Sequence, residues 1–348
     1  MESRKLGFEE SLGKDVVQAN RCVGCATCVV VCPFKCLEYD NGQPKLVKEC
    51  QDCGICSKTC PKYDWSWSEV EEFVFGRAKK TGEDFGIYKR LLLTQANDKK
   101  ILDRCQDGGF VTALLSYALE NNVIEGAAIS GISEDRPFYP IPKLATNLEE
   151  VLEGAGTRYC YSPNILALHE GVKSGKKSLA FVGTPCQIHA IRKIEMFPLK
   201  KYSNPLRFTI GLMCTESFSY EGFFAEYLKL KLYLNLNDVE KMNIKGKIII
   251  SLKSGETTTV PLSEAKHYAR ENCHLCSDFS AELADISAGG LGLKGWTFVI
   301  LRTEKGEAIF HKALRDGALK VRRVDEEPFA RNLLTKLSKK KLKNSSRD

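Results

Sequence analysis

Two copies of one cysteine pattern occupy the first sixty-one residues. Cys22, Cys25, Cys28 and Cys32 are separated by two, two and three residues and followed by Pro33; Cys50, Cys53, Cys56 and Cys60 repeat the spacing and are followed by Pro61. This is the spacing that wraps [4Fe-4S] cubes, because each two-residue step returns the chain to a neighbouring corner. The proline then ends the run and turns the chain. Zinc ribbons also use Cys-x2-Cys pairs, but they do not need eight cysteines in a doubled pattern. Zinc and purely structural cysteines stay as the alternatives. On the cluster reading, electrons pass through this chain one at a time.

The doubled cassette resembles the bacterial two-cluster ferredoxins, in which three thiolates of one cassette hold a cube and the fourth crosses to the other. The resemblance implies one cluster on Cys22, Cys25, Cys28 and Cys60, and a second on Cys50, Cys53, Cys56 and Cys32. Two short strands flanking Asp40-Asn41-Gly42, a hairpin signal, separate the cassettes. At 348 residues the chain is too long for this module alone, and roughly 270 residues remain for a further domain.

A hydrophobic content of 43 % supports an ordinary core, and no apolar run approaches the ~20 residues that span a bilayer. The polar, acidic start has no signal-peptide character. Fifteen cysteines in such a chain point to a reducing cytoplasm and metal ligation instead of disulfides. The formal charge of +7 is concentrated: residues 331–348 hold seven basic groups and one acid, leaving +1 for the rest. A folded body so nearly neutral argues against nucleic-acid binding, which wants a basic face on the fold itself. The end, with Leu333, Leu334, Leu337 and Leu342 near helical spacing, reads as a solvated helix or as a docking element for an acidic partner or membrane surface.

The expected fold class is therefore α+β at residues 1–75, a two-cluster module with its linker, followed by a mixed α/β domain at 76–327 and a basic helix or tail at 328–348. Residues 90–96 read as a strand. Asp107-Gly108-Gly109 precedes an apolar helix face of Phe110, Val111, Leu114, Leu115, Ala118 and Leu119, with Asp107 as N-cap. Strands are expected before Thr184 and up to Cys214, a helix at 220–232, and a hairpin over 244–262. A last hairpin is expected to turn at Glu304-Lys305-Gly306.

Four further cysteines have no local rule to join them. Cys186 and Cys214 each end an expected strand, and Cys273 and Cys276 share one loop. Strand ends of an α/β sheet gather on one edge, where ligands bind. The four can close a third cubane; a Cys273–Cys276 disulfide and a zinc site with His274 are the alternatives.

The segments GTPCQIHAI (183–191), IGLMCTESFS (210–219) and CHLCSDFSAELADISAGGLG (273–292) resemble signature blocks of the coenzyme F-420 hydrogenase/dehydrogenase beta-subunit family. QDGGFVTALL (106–115) and AGTRYCYSPN (155–164) are similar to its flavin-binding blocks. With the added cluster module, the chain looks most like the electron-input subunit of archaeal F-420H2 dehydrogenase. The resemblance implies one FAD and a third [4Fe-4S] cluster on Cys186, Cys214, Cys273 and Cys276. It implies flavin contacts from Asp107, Gly108, Gly109, Thr112, Thr157, Arg158, Tyr159, Ser162 and Asn164. F-420 carries phosphate and glutamates, so cationic anchors are expected, with Lys294 and Arg302 as candidates. Cys36, Cys105 and Cys160 are expected to be small packed residues.

The implied activity is oxidation of reduced F-420 by hydride transfer to FAD, with onward single-electron transfer to a partner: a membrane-bound or soluble complex, or ferredoxin. No side chain is required as acid or base, since hydride transfer needs alignment above all. The implied location is the cytoplasm, with attachment to the inner membrane face through a partner complex as an option. The competing readings are a family relative coupling F-420, a pigment or another substrate to ferredoxin or a separate reductase, and a non-enzymatic iron–sulfur scaffold.

Overall fold

The computed structural model describes residues 6–197 and 199–343. A helix at Glu9–Gln18 leads into the first cassette. Strands β1 (Leu37–Asp40) and β2 (Gln43–Leu46) pair antiparallel across the expected Asn41-Gly42 turn. The linker that follows the second cassette contains a helix, Trp67–Phe75. Ser66 caps it by accepting from the Glu69 amide, and Gly76 closes it at φ 71°. These are ordinary start and stop devices for a short helix.

The body is built on an eight-stranded mixed sheet. Its strands are β3 (Arg90–Ala96), β4 (Gly126–Ile132), β5 (Pro140–Ala145), β6 (Leu179–Gly183), β7 (Leu206–Leu212), β11 (Ile286–Gly289), β12 (Thr297–Leu301) and β13 (Leu319–Arg323). The order is β13-β3-β12-β11-β7-β6-β4-β5, with β4, β6, β7 and β11 parallel to one another. Both β6 and β12 are buried along their whole length. Their largely apolar sequences, LAFVG and TFVIL, suit a strand covered on both faces. On one face the helix Phe110–Glu120 sets Phe110 and Leu114 against Val182, Ile210 and Phe310. On the other, Ile188, Ile191 and Leu168 pack on Phe181, and the same cluster takes in Val23, Val30, Val31 and Val70. The cassette module thus shares a core with the body.

A separate three-stranded sheet, β8 (Val239–Ile244), β9 (Lys247–Leu252) and β10 (Thr257–Pro261), has the order β10-β9-β8. It covers an aromatic core with Phe218, Phe223, Phe224 and Tyr227, three of them from the helix Tyr220–Lys231. The hairpin expected over 244–262 is its β9–β10 pair; β8 is an addition to the expected elements.

Three local expectations change. The turn expected at Glu304-Lys305-Gly306 is the start of a helix, Glu304–Arg315, because the Thr303 side chain caps it by accepting from the Gly306 amide. Ile309, Phe310 and Ala313 then fall on its buried face. The cap before Phe110 is Gly109 at φ 73°, with no side-chain cap, and not Asp107. The terminal helix, Pro328–Lys343, is not a solvated rod: Ala330 and Leu334 pack with Phe85, Leu93 and Phe298. Arg347 and Asp348 of the expected tail lie outside the described residues.

Candidate redox site

The two cassettes take the same local path. In each, the third and fifth positions are left-handed: Gly24 and Ala26 at φ 67° and 64°, Asp52 and Gly54 at φ 46° and 70°. Each loop then enters a one-turn helix, Thr27–Val31 or Ile55–Thr59, which carries the third cysteine. Gly24 has a second reason to be glycine, since a Cβ there would lie 2.5 Å from the Gly42 carbonyl oxygen.

The grouping of the thiols is the crossed one. Burial raises the Cys28 thiol well above its ordinary range, and the neighbours that add to this are Cys25, Cys60, Cys22 and Cys56. Cys56 is pushed up to about 12 by burial and then by Cys53, Cys50 and Cys32. A small void of about 20 Å³ is walled by Cys22, Cys25, Cys28 and Cys60 together with Leu12, Val16 and Val17. Backbone amides point at sulfur, Gly24 N–H to Cys22 at 3.4 Å, Cys36 N–H to Cys32 at 3.4 Å and Phe8 N–H to Cys50 at 3.3 Å. Such donors tune a cluster's potential.

The third group forms at the edge of the main sheet. β6 and β7 are adjacent and parallel, so the residues following them, Cys186 and Cys214, emerge side by side. The helix Glu271–His274 and the turn after it supply Cys273 and Cys276. All four line one cavity of about 410 Å³. Its walls also include Arg21, Val23, Pro61 and Lys62, the neighbours in sequence of Cys22 and Cys60. Cys214 is raised by burial, opposed by Lys341, and raised further by Cys273, Cys186 and Cys276. His274 is exposed and does not line the cavity. All fifteen cysteines are free thiols. Among the described residues, no three His, Cys, Asp or Glu side chains close on a single point as one metal ion would require. The ring of Cys22, Cys25, Cys28 and Cys60 and that of Cys186, Cys214, Cys273 and Cys276 each line a void instead.

Besides Arg21 and Lys62, two cations from distant segments reach this cavity, and no sequence motif marks either. Arg270 lies 4.3 Å over the Tyr161 ring and donates to the Val23 carbonyl at 3.1 Å, clamping the body to the first cassette. Lys341, on the terminal helix, is only 7 % exposed and donates to the Cys273 carbonyl at 3.2 Å. Burial acts to lower the Lys341 pKa, but Cys276, Cys214 and Cys273 outweigh it and the pKa is raised. His189, one turn after Cys186, pairs with Asp278 at 2.9 Å and stacks on Trp65 at 4.7 Å. No spacing rule links these residues in sequence.

The segments expected to hold a flavin meet beneath β8. The Gln106 amide donates to the Met242 carbonyl at 2.8 Å, the Tyr159 hydroxyl to the same carbonyl at 3.3 Å, and Lys241 to the Cys105 carbonyl at 3.0 Å. Asp107 packs against Gly290; its pKa is raised by burial, opposed by Lys245 and Lys241. Gly108 lies against the main sheet, where a Cβ would come within 2.4 Å of the Thr94 carbonyl oxygen. Thr112 is buried on the helix that follows, while Thr157 is exposed.

Arg158 donates to the Ala155 and Glu153 carbonyls, yet its buried Nε has no partner among the described residues. Desolvation pulls its pKa down to about 10. An uncapped helix start, and a guanidinium with no salt-bridge partner among the described residues, both fit an anionic group such as a dinucleotide pyrophosphate.

The remaining candidates are placed differently. Ser162 and Ser130 donate to Asn164 Oδ1, and the Asn164 amide donates to the Val182 carbonyl. That pair stitches the start of the helix Ile165–Lys173 to β6. Lys294 is exposed in the loop after β11. Arg302 is 1 % exposed, and its guanidinium donates to Ser287 Oγ and to the carbonyls of Ile87, Phe85 and Ser280. It holds the fold and is not available as a substrate anchor. Cys36, Cys105 and Cys160 are buried, as expected for small packed residues.

Comparison with known proteins is consistent with this geometry. Residues 91–169 match the family model for the N-terminal part of the coenzyme F-420 hydrogenase/dehydrogenase beta subunit, and residues 176–327 match that for its C-terminal part. The chain belongs to this family. The beta subunit of coenzyme F-420 hydrogenase from Methanococcus voltae is 40 % identical over 267 residues, covering 75 % of this chain and 94 % of that one. A component of the F-420H2 dehydrogenase of Methanosarcina mazei is 31 % identical over 313 residues, 85 % of this chain and 83 % of its own. A chain of the F-420-reducing nickel–iron hydrogenase complex from Methanosarcina barkeri superposes with a TM-score of 0.72 at 36 % identity, covering 76 % of this chain and 92 % of that one. The family models include Cys186, Cys214, Cys273 and Cys276. Both cassettes and the helix carrying Lys341 lie outside them.

Proposed function

We propose that this family member oxidises reduced coenzyme F-420 and delivers the electrons singly to a partner complex, using one FAD and three [4Fe-4S] clusters in a cytoplasmic setting. The observation that carries this reading is the shared cavity: four cysteines from two strand ends and one loop meet in a space also walled by the neighbours of Cys22 and Cys60. That arrangement sets the ring of Cys186, Cys214, Cys273 and Cys276 beside the ring of Cys22, Cys25, Cys28 and Cys60. The ring of Cys32, Cys50, Cys53 and Cys56 is then the outlet. FAD, when bound, exchanges hydride with a deazaflavin and single electrons with cubanes.

The protein's own part is positional. The Asp107 loop runs through Gly108-Gly109, packed against the protein's own interior, into the uncapped start of the helix Phe110–Glu120, with Thr112 one turn further on. Arg158, flanked by Thr157 and Tyr159, supplies a charge with no salt-bridge partner among the described residues, and Ser162 and Asn164 fix the segment behind it. Lys294 stands in the loop that begins at Gly290, against Asp107, where it can meet the phosphate or glutamates of F-420. Among the described residues no helix is long and apolar enough to cross a membrane. The proposed acceptor is a separate complex or ferredoxin.

The test is an anaerobic titration of purified holoprotein with reduced F-420, followed by flavin absorbance and cluster EPR. About twelve irons, four per cube, and one FAD per chain are expected, with bleaching of both chromophores. An undiminished dye-linked rate in flavin-free protein would sink the reading, and about eight irons without flavin would favour a scaffold.

A further inference from the structure

The terminal helix is outside the matched family models, yet it sends a buried ammonium into the third cysteine ring. Ala330, Leu334, Ser338 and Lys341 are its buried positions, spaced by four, four and three residues so that they form one stripe. Leu334 and Ala330 seat the stripe on Phe85, Leu93 and Phe298. Lys341 is at its far end, where it lines the cavity and donates to the Cys273 carbonyl. Lys341 has no carboxylate within salt-bridge distance among the described residues, whereas Lys339, two positions away, pairs with Asp84 at the surface at 3.1 Å. A buried lysine needs a counter-charge. Here the nearby anionic groups are the thiolates that would ligate a cluster, with Glu216 a weaker neighbour.

We propose that Lys341 is a positioning residue for the third cluster: its fixed ammonium raises that cluster's reduction potential and makes it the favoured first acceptor on the path to the cassettes. The inference rests on the proposed third cluster. A cubane with four thiolates carries about −2 when oxidised and about −3 after taking up one electron. A cation held beside it in a poorly solvated cavity stabilises the second state more than the first. The electron comes from the reduced flavin of the proposed activity, and no further reactant is needed.

The experiment is a redox titration of the reconstituted full chain, monitored by EPR, on wild type, K341M, K341Q, K341R and K339M. C214S identifies the signal of the third cluster: it should lose that signal and about four irons. K341M and K341Q should lower the potential of this signal alone, by roughly a tenfold change in the reduced-to-oxidised ratio at fixed potential, about 59 mV for one electron. K341R should restore it, and K339M should leave it unchanged. If K341M fails to load, K341Q, which can still donate to the Cys273 carbonyl, makes the same comparison. A third-cluster potential equal to wild type in a fully loaded neutral variant overturns the role of Lys341. Full iron and unchanged spectra in C214S overturn the third cluster itself, a separately readable failure.

Discussion

Arg158 and Arg302 are both desolvated guanidiniums, and they differ in what meets them. Arg302 is surrounded by acceptors, and removing it takes the donor from the buried carbonyls of Ile87 and Ser280 and leaves that of Phe85 only its bond from Ser280 Oγ. We expect R302M to cost about 3–5 kcal/mol, seen as a lower urea midpoint or loss of soluble protein. Arg158 has a buried Nε with no partner among the described residues. R158M should therefore leave the flavin-free protein as stable as wild type or more so, while weakening FAD binding by about tenfold or more, since a charge-assisted bond is worth roughly 1.5–3 kcal/mol. A flavin titration together with a melt separates the two effects, and unchanged FAD affinity would count against the assignment. Lys294 is exposed, so K294A should change stability by less than about 0.5 kcal/mol. Its proposed effect is a raised KM for reduced F-420 with kcat retained; an unaltered KM removes it from the site.

At the scale of elements, local signals are legible where one short-range device decides the outcome. The cassettes, the Asn41-Gly42 hairpin and strands β3, β6 and β7 lie where spacing and apolar runs place them. The difference at 304–306 has a definite cause: Lys305-Gly306 resembles a turn, but Thr303 caps and Ile309, Phe310 and Ala313 share a helical face. T303A should cost about 1–2 kcal/mol, because the hydroxyl also donates to Asp285 at 2.7 Å. T303S should retain most of the stability in urea melts. In the first cassette, G24A forces a left-handed alanine and a contact of 2.5 Å with backbone. Its expected consequence is loss of the neighbouring cluster, about four irons per chain, whereas iron equal to wild type would show that the loop can relax.

For the whole molecule, the cassette module has few apolar residues of its own; its core is Phe8, Leu12, Val16 and Leu37 among cysteines. Ligation should therefore supply much of its folding free energy. Anaerobic chelation is expected to expose residues 6–62 to protease before residues 90–327, and simultaneous cleavage of both would refute this. The amino-acid sequence by itself determined the two cassettes, the alternation of strands and helices, and the family, because each is written in neighbouring residues. It also supplied four more cysteines without any rule to join them. Only the tertiary structure decided that they meet, since the adjacency of β6 and β7 and the fold of the 273–276 loop depend on contacts between distant segments. The same holds for Arg270 against Val23 and Lys341 against Cys273, separated by 247 and 68 residues. A charge acts through space, and its partner is set by how sheet and helix pack, which no local pattern records.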